Sequence, residues 1–332
     1  MEFRRRTREE AERRERLLLA PAATRSTESR GREAEEAPDP YRTAFERDRD
    51  RILHSKAFRR LKHKTQVFIN PEDDHFVTRL THTLQVTQIG RSIAVFLSLN
   101  EPLTEAICLG HDVGHAPFGH TGEDALTDYV EWEWLHSQQG LRIFRVLEPL
   151  NLTWEVLDGI RAHSWKVDPP PATPEGMVCR FADRIAYLTH DVEDAIRAGI
   201  ITETQLPRVS IDRLGRPGSP WIAAMVEAVI EESLATGTVA MQEDCLEVMH
   251  ELRDFMFDRV YLRPESEPHK RRVFTVIHEL VDYYLDHPGE IPDSYRHPGS
   301  GDLTQVIDYV AGMTDRYALR LHDGLFRPGG VD

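Results

Sequence analysis

Cysteine is scarce in this 332-residue chain: only Cys108, Cys179 and Cys245, far apart and with no CxxC pair. That spacing excludes a disulfide framework or a zinc knuckle and fits a reducing cytoplasm, the expected location. Long apolar runs are also missing. Nothing approaches the ~18 residues that a membrane span needs, so no membrane association is expected. Leu17-Leu18-Leu19 is too short for the core of a signal peptide. Period-two alternation is nearly absent, which argues against a sheet protein. Positive charge is in deficit as well. The net charge is −15, so the chain as a whole lacks the basic footprint of a general nucleic-acid binder.

The charge is uneven. Residues 1–64 carry 19 basic and 13 acidic side chains, whereas the remainder carries 22 and 43. Residues 1–37 are rich in Arg, Glu and Ala and read as a charged, partly mobile N-terminal tail. A subunit-contact or single-stranded-DNA arm is the sharper alternative. From Pro40 onward the pattern is helical. Leu80, Leu84, Ile93 and Leu97 recur at helical steps, and a second helix starts at Pro102 and ends near Gly114 and Pro117. Met177, Phe181, Ile185, Leu188, Val192 and Ile196 form a third apolar stripe. Trp221–Ala235 and Val273–Leu285 complete the set, with Pro- and Gly-dense breaks at 166–176, 213–220 and 287–301. Cys108 and Cys179 fall in apolar helical stretches and are expected to be buried thiols.

The chemistry concentrates in residues 110–120, Gly-His-Asp-Val-Gly-His-Ala-Pro-Phe-Gly-His: three His, one Asp and three Gly in eleven positions. Mid-helix, neighbouring side chains point ~100° apart, so the pair His111-Asp112 converges best at a helix end. Imidazole and carboxylate together suit Zn, Mn, Fe, Co or Ni, with Mg as a further option. His82 is expected mid-helix, one turn after Arg79 and on the same face. Asp183, Tyr187 and Asp191 form a polar stripe at i, i+4 and i+8 beside the apolar one. Each element alone is weak. The ordered set His82, His111-Asp112, Asp183 is a specific candidate for a divalent metal site.

These residues, together with the runs at 58–68, 78–84, 182–191 and Met313–Ala318, resemble the HD-domain superfamily. Within it they are similar to the bacterial dGTPase-like deoxynucleoside triphosphate triphosphohydrolases, over about residues 40–320. The resemblance implies an all-α HD-type helical bundle, here expected to carry a short β-hairpin in its C-terminal half. The expected divisions are a phosphohydrolase core at 38–205 and a C-terminal helical region at 206–332.

The implied reaction splits a dNTP into a deoxynucleoside and inorganic triphosphate by water attack at the α-phosphorus. His82, His111, Asp112 and Asp183 would hold the metal. His120 would be the acid for the leaving oxygen, with Glu123 orienting it, His136 near the α-phosphate and His115 behind them. Arg79 would clamp a phosphate, and Lys56, Arg59 and Arg60 are further candidates for the triphosphate. Gln66 and Asp191 would bond the 3′-hydroxyl, and Tyr187 would crowd a ribose 2′-hydroxyl. Arg184 departs from the acidic residue common in bacterial members and is a candidate for phosphate contact or nucleotide preference. Relatives are tetramers or hexamers, some activated by one dNTP while hydrolysing another, so a homo-oligomer with a dNTP activator is implied. The competing readings are an HD-type nucleotidase or phosphodiesterase, and a regulator that senses dNTPs or binds single-stranded DNA.

Overall fold

Where apolar residues recur every three to four positions, the chain coils into helices, and fifteen α-helices are present among the described residues. The computed structural model describes residues 5–65, 77–263 and 267–327. No strand occurs among them. Two isolated bridges, Arg32 with Thr153 and Thr65 with Thr78, are the only extended pairings found there. The expected C-terminal hairpin is therefore absent from the described residues. The stretch 287–301 forms short 3₁₀ turns instead, because its Pro and Gly residues break any alternation. No described helix is long and apolar enough to cross a membrane.

The helices pack as two compact units that interleave along the chain. The first comprises residues 1–55, 82–111 and 150–260. Its centre is the long helix Pro174–Arg197, against which Glu101–Gly110, Trp154–Ala162, Ser219–Thr236 and Glu243–Met256 pack. Phe45, Ile52, Ile93, Leu103, Ile107, Ile160, Ile185, Leu188 and Trp221 are buried there, as are all three cysteine thiols. Each such large aliphatic or aromatic group contributes ~1.5–3 kcal/mol by leaving water. Gly90 sets how closely the helices Arg79–Phe96 and Glu101–Gly110 approach, with Pro174–Arg197 in contact beside them. A Cβ there would lie 2.9 Å from Cys108 Sγ and 3.5 Å from the Ala182 methyl. Those three positions lie on the helices that carry His82, His111 and Asp183.

The segment expected to be a mobile tail is anchored in this unit. Thr7 caps the helix Arg8–Leu18, and carboxylates, the half-buried Glu15 and the buried Glu175, Glu155 and Asp48, then tie down the following residues. Glu15 accepts from Ser26, Glu175 from Thr24, Glu155 from Ser29 and the Arg30 amide, and Asp48 pairs with Arg32. Composition suggested mobility, but these long-range acceptors are invisible to a local reading.

The second unit comprises residues 56–81, 112–149 and 261–332. Its core is built by the helices Glu267–Asp286, Asp302–Ala311 and Asp315–Phe326 with His120–Thr127. Phe118, Leu126, Trp134, Ile277, Leu280, Val306 and Val310 fill it. Asp308 is buried, and it accepts from Gln139 at 2.9 Å and from Arg142 Nε at 2.7 Å.

Candidate metal centre

Three helices of the first unit each deliver one donor to a common point. His82 lies in the first turn of Arg79–Phe96, rather than mid-helix as expected, because the helix starts at Arg79 itself. His111 caps the end of Glu101–Gly110, and Asp183 sits within Pro174–Arg197. His82 Nε2 is 3.1 Å from Asp183 Oδ1, and His111 Nε2 is 3.7 Å from the same oxygen. One donor atom from each residue lies within 4.8 Å of the others. Both imidazoles are buried, while the carboxylate is 21% exposed.

Helix geometry also sets the His111 tautomer. Its Nδ1 is 2.6 Å from the Cys108 carbonyl oxygen, which can only accept, so Nδ1 carries the proton. Nε2 then presents its lone pair towards Asp183, as a metal-ligating imidazole requires. The donor set therefore fits a divalent cation: two imidazoles, one tautomer fixed, and a partly hydrated carboxylate. His163 repeats the device. It caps Trp154–Ala162, its Nδ1 bonds the Ile160 carbonyl at 2.7 Å, and its ring stands edge-on to His111 at 5.0 Å. His163 was not singled out from the sequence. The shared place of the two residues, just after an apolar helix, is the signal that could have found it.

Further down the polar stripe, burial pushes the Tyr187 phenol up to about 12, so it stays protonated at neutral pH. Asp191 is buried. Burial lowers the Arg184 guanidinium's pKa, and that group lies 3.8 Å over the Trp165 ring. Gln66 lies outside the described residues.

The second unit holds the other candidate imidazoles, His115, His120 and His136. Glu123 is buried at the centre of His115, His120 and His136. His115 Nδ1 pairs with it, His136 Nδ1 is 3.1 Å away, and His120 Nδ1 is 3.7 Å away. His115 and His136 stack with ring centroids 3.7 Å apart. Burial alone would raise the Glu123 carboxyl, but His115, His136 and His120 hold it well below the usual range. Burial pushes His115 down to about 4, with Arg79 adding to the effect, so this ring is neutral at pH 7. His120 goes the other way. Desolvation opposes its charge, yet Glu123 raises its pKa overall, and its side chain is 76% exposed.

Gly114 permits this arrangement, because a Cβ there would lie 2.0 Å from the His136 carbonyl oxygen. Asp112 belongs to this unit. Its carboxylate accepts from Arg79 at 2.9 Å and lies 3.1 Å from His115. Arg79, expected as a phosphate clamp, is 2% exposed, and its Nε also donates to the Thr65 carbonyl. Its guanidinium is engaged by Asp112 in this structure.

Family comparisons cover these residues. The HD domain model matches residues 79–188, which span both the triad and the Glu123 cluster. The phosphohydrolase-associated domain model matches residues 239–324. A deoxyguanosinetriphosphate triphosphohydrolase-like protein of Caldanaerobacter subterraneus subsp. tengcongensis is 47% identical over 317 residues, covering 94% of this chain and 93% of that one. Proteins described in the same words from Clostridium perfringens (strain SM101) and Desulfatibacillum aliphaticivorans are 44% and 43% identical. Each alignment covers 97% of this chain and 98% of the relative. The chain thus belongs to the deoxyguanosinetriphosphate triphosphohydrolase-like family of HD-domain proteins.

Proposed function

We propose that the protein hydrolyses deoxynucleoside triphosphates, dGTP among them, to a deoxynucleoside and inorganic triphosphate. The observation that carries this reading is the convergence of His82, His111 and Asp183 on one point. Asp112, the chain neighbour of His111, is the proposed fourth ligand on its place in the sequence. A divalent metal held by these residues would acidify a bound water and offset charge on the α-phosphate.

The chain's own residues account for the rest. Water oxygen bonds to the α-phosphorus and releases a proton to solvent, the bond from phosphorus to the 5′-oxygen breaks, and solvent later returns a proton to His120. His120, whose pKa Glu123 raises, gives its proton to that oxygen, which is otherwise a poor leaving group. Glu123 stays ionised because two further imidazoles face it, and it holds His120 as a carboxylate holds an imidazole in other acid–base pairs. His136, fixed by Glu123 and stacked on His115, is assigned to the α-phosphate. Arg184, Gln66 and Asp191 are assigned to the nucleotide, and Tyr187 to exclusion of a 2′-hydroxyl.

Part of the charge in and just after the segment that suggested a DNA-contact arm is paired within the chain. Arg8 pairs with Glu12, Arg32 with Asp48, Arg42 with Asp39, Arg49 with Glu105 and Arg51 with Glu36. Inside the segment Arg6 also pairs with Glu46 and Arg25 with Glu28. The enzyme reading is therefore preferred to the DNA-binding one. A homo-oligomer, a dNTP activator and a cytoplasmic location complete the proposal.

The deciding experiment incubates metal-loaded protein with each dNTP, alone and in mixtures, and identifies the phosphate product. Tripolyphosphate is expected. Orthophosphate from a nucleoside monophosphate, or a linear monophosphate from a cyclic nucleotide, with no tripolyphosphate from any dNTP, would instead favour a nucleotidase or phosphodiesterase. Light scattering of the same samples, with and without dNTP, tests the oligomer.

A further inference from the structure

Two buried charged side chains outside the proposed machinery grip the turn that leads into His120. The turn is strained: Phe118 has φ +65°, and Gly119 follows at φ +61°. A non-glycine residue in that region costs ~1–3 kcal/mol and persists only where its surroundings over-determine it. Asp315, at the start of the helix Asp315–Phe326, supplies one constraint. Its Oδ1 accepts from the Phe118 amide at 2.9 Å, and its Oδ2 accepts from the Thr65 amide at 2.9 Å and from the Thr65 hydroxyl. Lys64 supplies the other. Its Nζ donates to the His115 carbonyl and, at 3.0 Å, to the Ala311 carbonyl. Asp315 is 6% exposed and Lys64 is 3% exposed. Burial pushes the Lys64 ammonium down to about 7, helped by Arg60 and opposed by Asp315. Charged or neutral, an amine has enough N–H groups for both carbonyls.

We propose that Asp315 and Lys64 are positioning residues that lock the 114–119 turn and thereby aim His120 at the leaving oxygen. Sequence segments around 64, 118 and 315 meet at this one clamp. It gives residues 313–318 a role in catalysis without contact with substrate. The proposal rests on the assignment of His120 as the acid.

The test compares wild type with Asp315→Asn, Asp315→Ala and Lys64→Met. Misplacing a catalytic group by an ångström costs about a hundredfold. We expect kcat to fall by about tenfold to a hundredfold in Asp315→Ala and by less in Asp315→Asn, whose amide oxygen still accepts one bond. KM and bound metal per chain should hardly change. If Asp315→Ala does not fold, Asp315→Asn and Lys64→Met carry the comparison. A second readout needs no substrate: in histidine-labelled protein, Asp315→Asn should shift the His120 ring resonances and speed exchange of the Phe118 amide. Unmoved His120 resonances with wild-type kcat would overturn the clamp, as would loss of metal in step with kcat. A wild type inactive on every dNTP would sink the proposed function instead, and the resonances alone would then decide the clamp.

Discussion

The triad and the Glu123 cluster are both knots of imidazole and carboxylate, but they are built differently. The triad stands on three regular helices, held at close range by Gly90 and the apolar residues around it. Its geometry is a by-product of helix packing. The Glu123 cluster stands on a loop and two short helices, held by hydrogen bonds and ion pairs with buried polar side chains, Lys64 donating and Asp315 accepting. Rigid helices suit a site that must keep fixed coordination. A loop held by polar ties suits groups whose proton affinity must be tuned, because each tie also sets a charge environment.

The sharpest way to break this contrast is to empty the triad. His111→Ala should abolish bound metal and reduce turnover by about a thousandfold or more, with helical circular dichroism unchanged. Full metal content in that variant would mean that another set of donors holds the ion.

His120→Ala should cost about a hundredfold to ten-thousandfold in kcat while the metal stays bound, since a general acid supplies that much. The pH profile sharpens the point. His120 must be protonated to act, and Glu123 raises its pKa, so kcat should fall as pH rises through that raised value. Glu123→Gln removes the raising charge, and the falling limb should move to lower pH. A limb that stays put or moves upward would remove Glu123 from the proton's control. Gly90→Leu tests the other side. Overpacking should destabilise the protein by about 1–3 kcal/mol and weaken metal binding, both readable by thermal denaturation with and without added metal. Unchanged metal affinity would show that close helix approach does not set the triad. The smallest effect is expected from Tyr187→Ala, a several-fold rise in the NTP-to-dNTP rate ratio, and an unaltered ratio would discredit the gate.

The same contrast explains what the sequence could reveal. The stripe from Met177 to Ile196 and the helix end at His111-Asp112 follow local rules, so both helices and two members of the triad were legible. His82 was placed on the right helix but too far along it, because nothing local marks Arg79 as the start. His163 escaped notice, and Lys64 and Asp315 stood only inside the runs that carry the family resemblance, with no role of their own. Lys64 and Asp315 matter through partners 51 and 197 or more residues away, and no periodicity carries such information. The anchoring of residues 24–32 by Glu155, Glu175 and Asp48 was hidden for the same reason. The glycines were visible, but their purpose was not: Gly90 and Gly114 are explained only by what a methyl group would strike.

The most direct test is anomalous diffraction from crystals grown with Mn²⁺. A single strong peak is predicted about 2.0–2.3 Å from His82 Nε2, His111 Nε2 and an Asp183 carboxylate oxygen. A peak instead among His115, His120, Glu123 and His136, with none at the triad, would contradict the account.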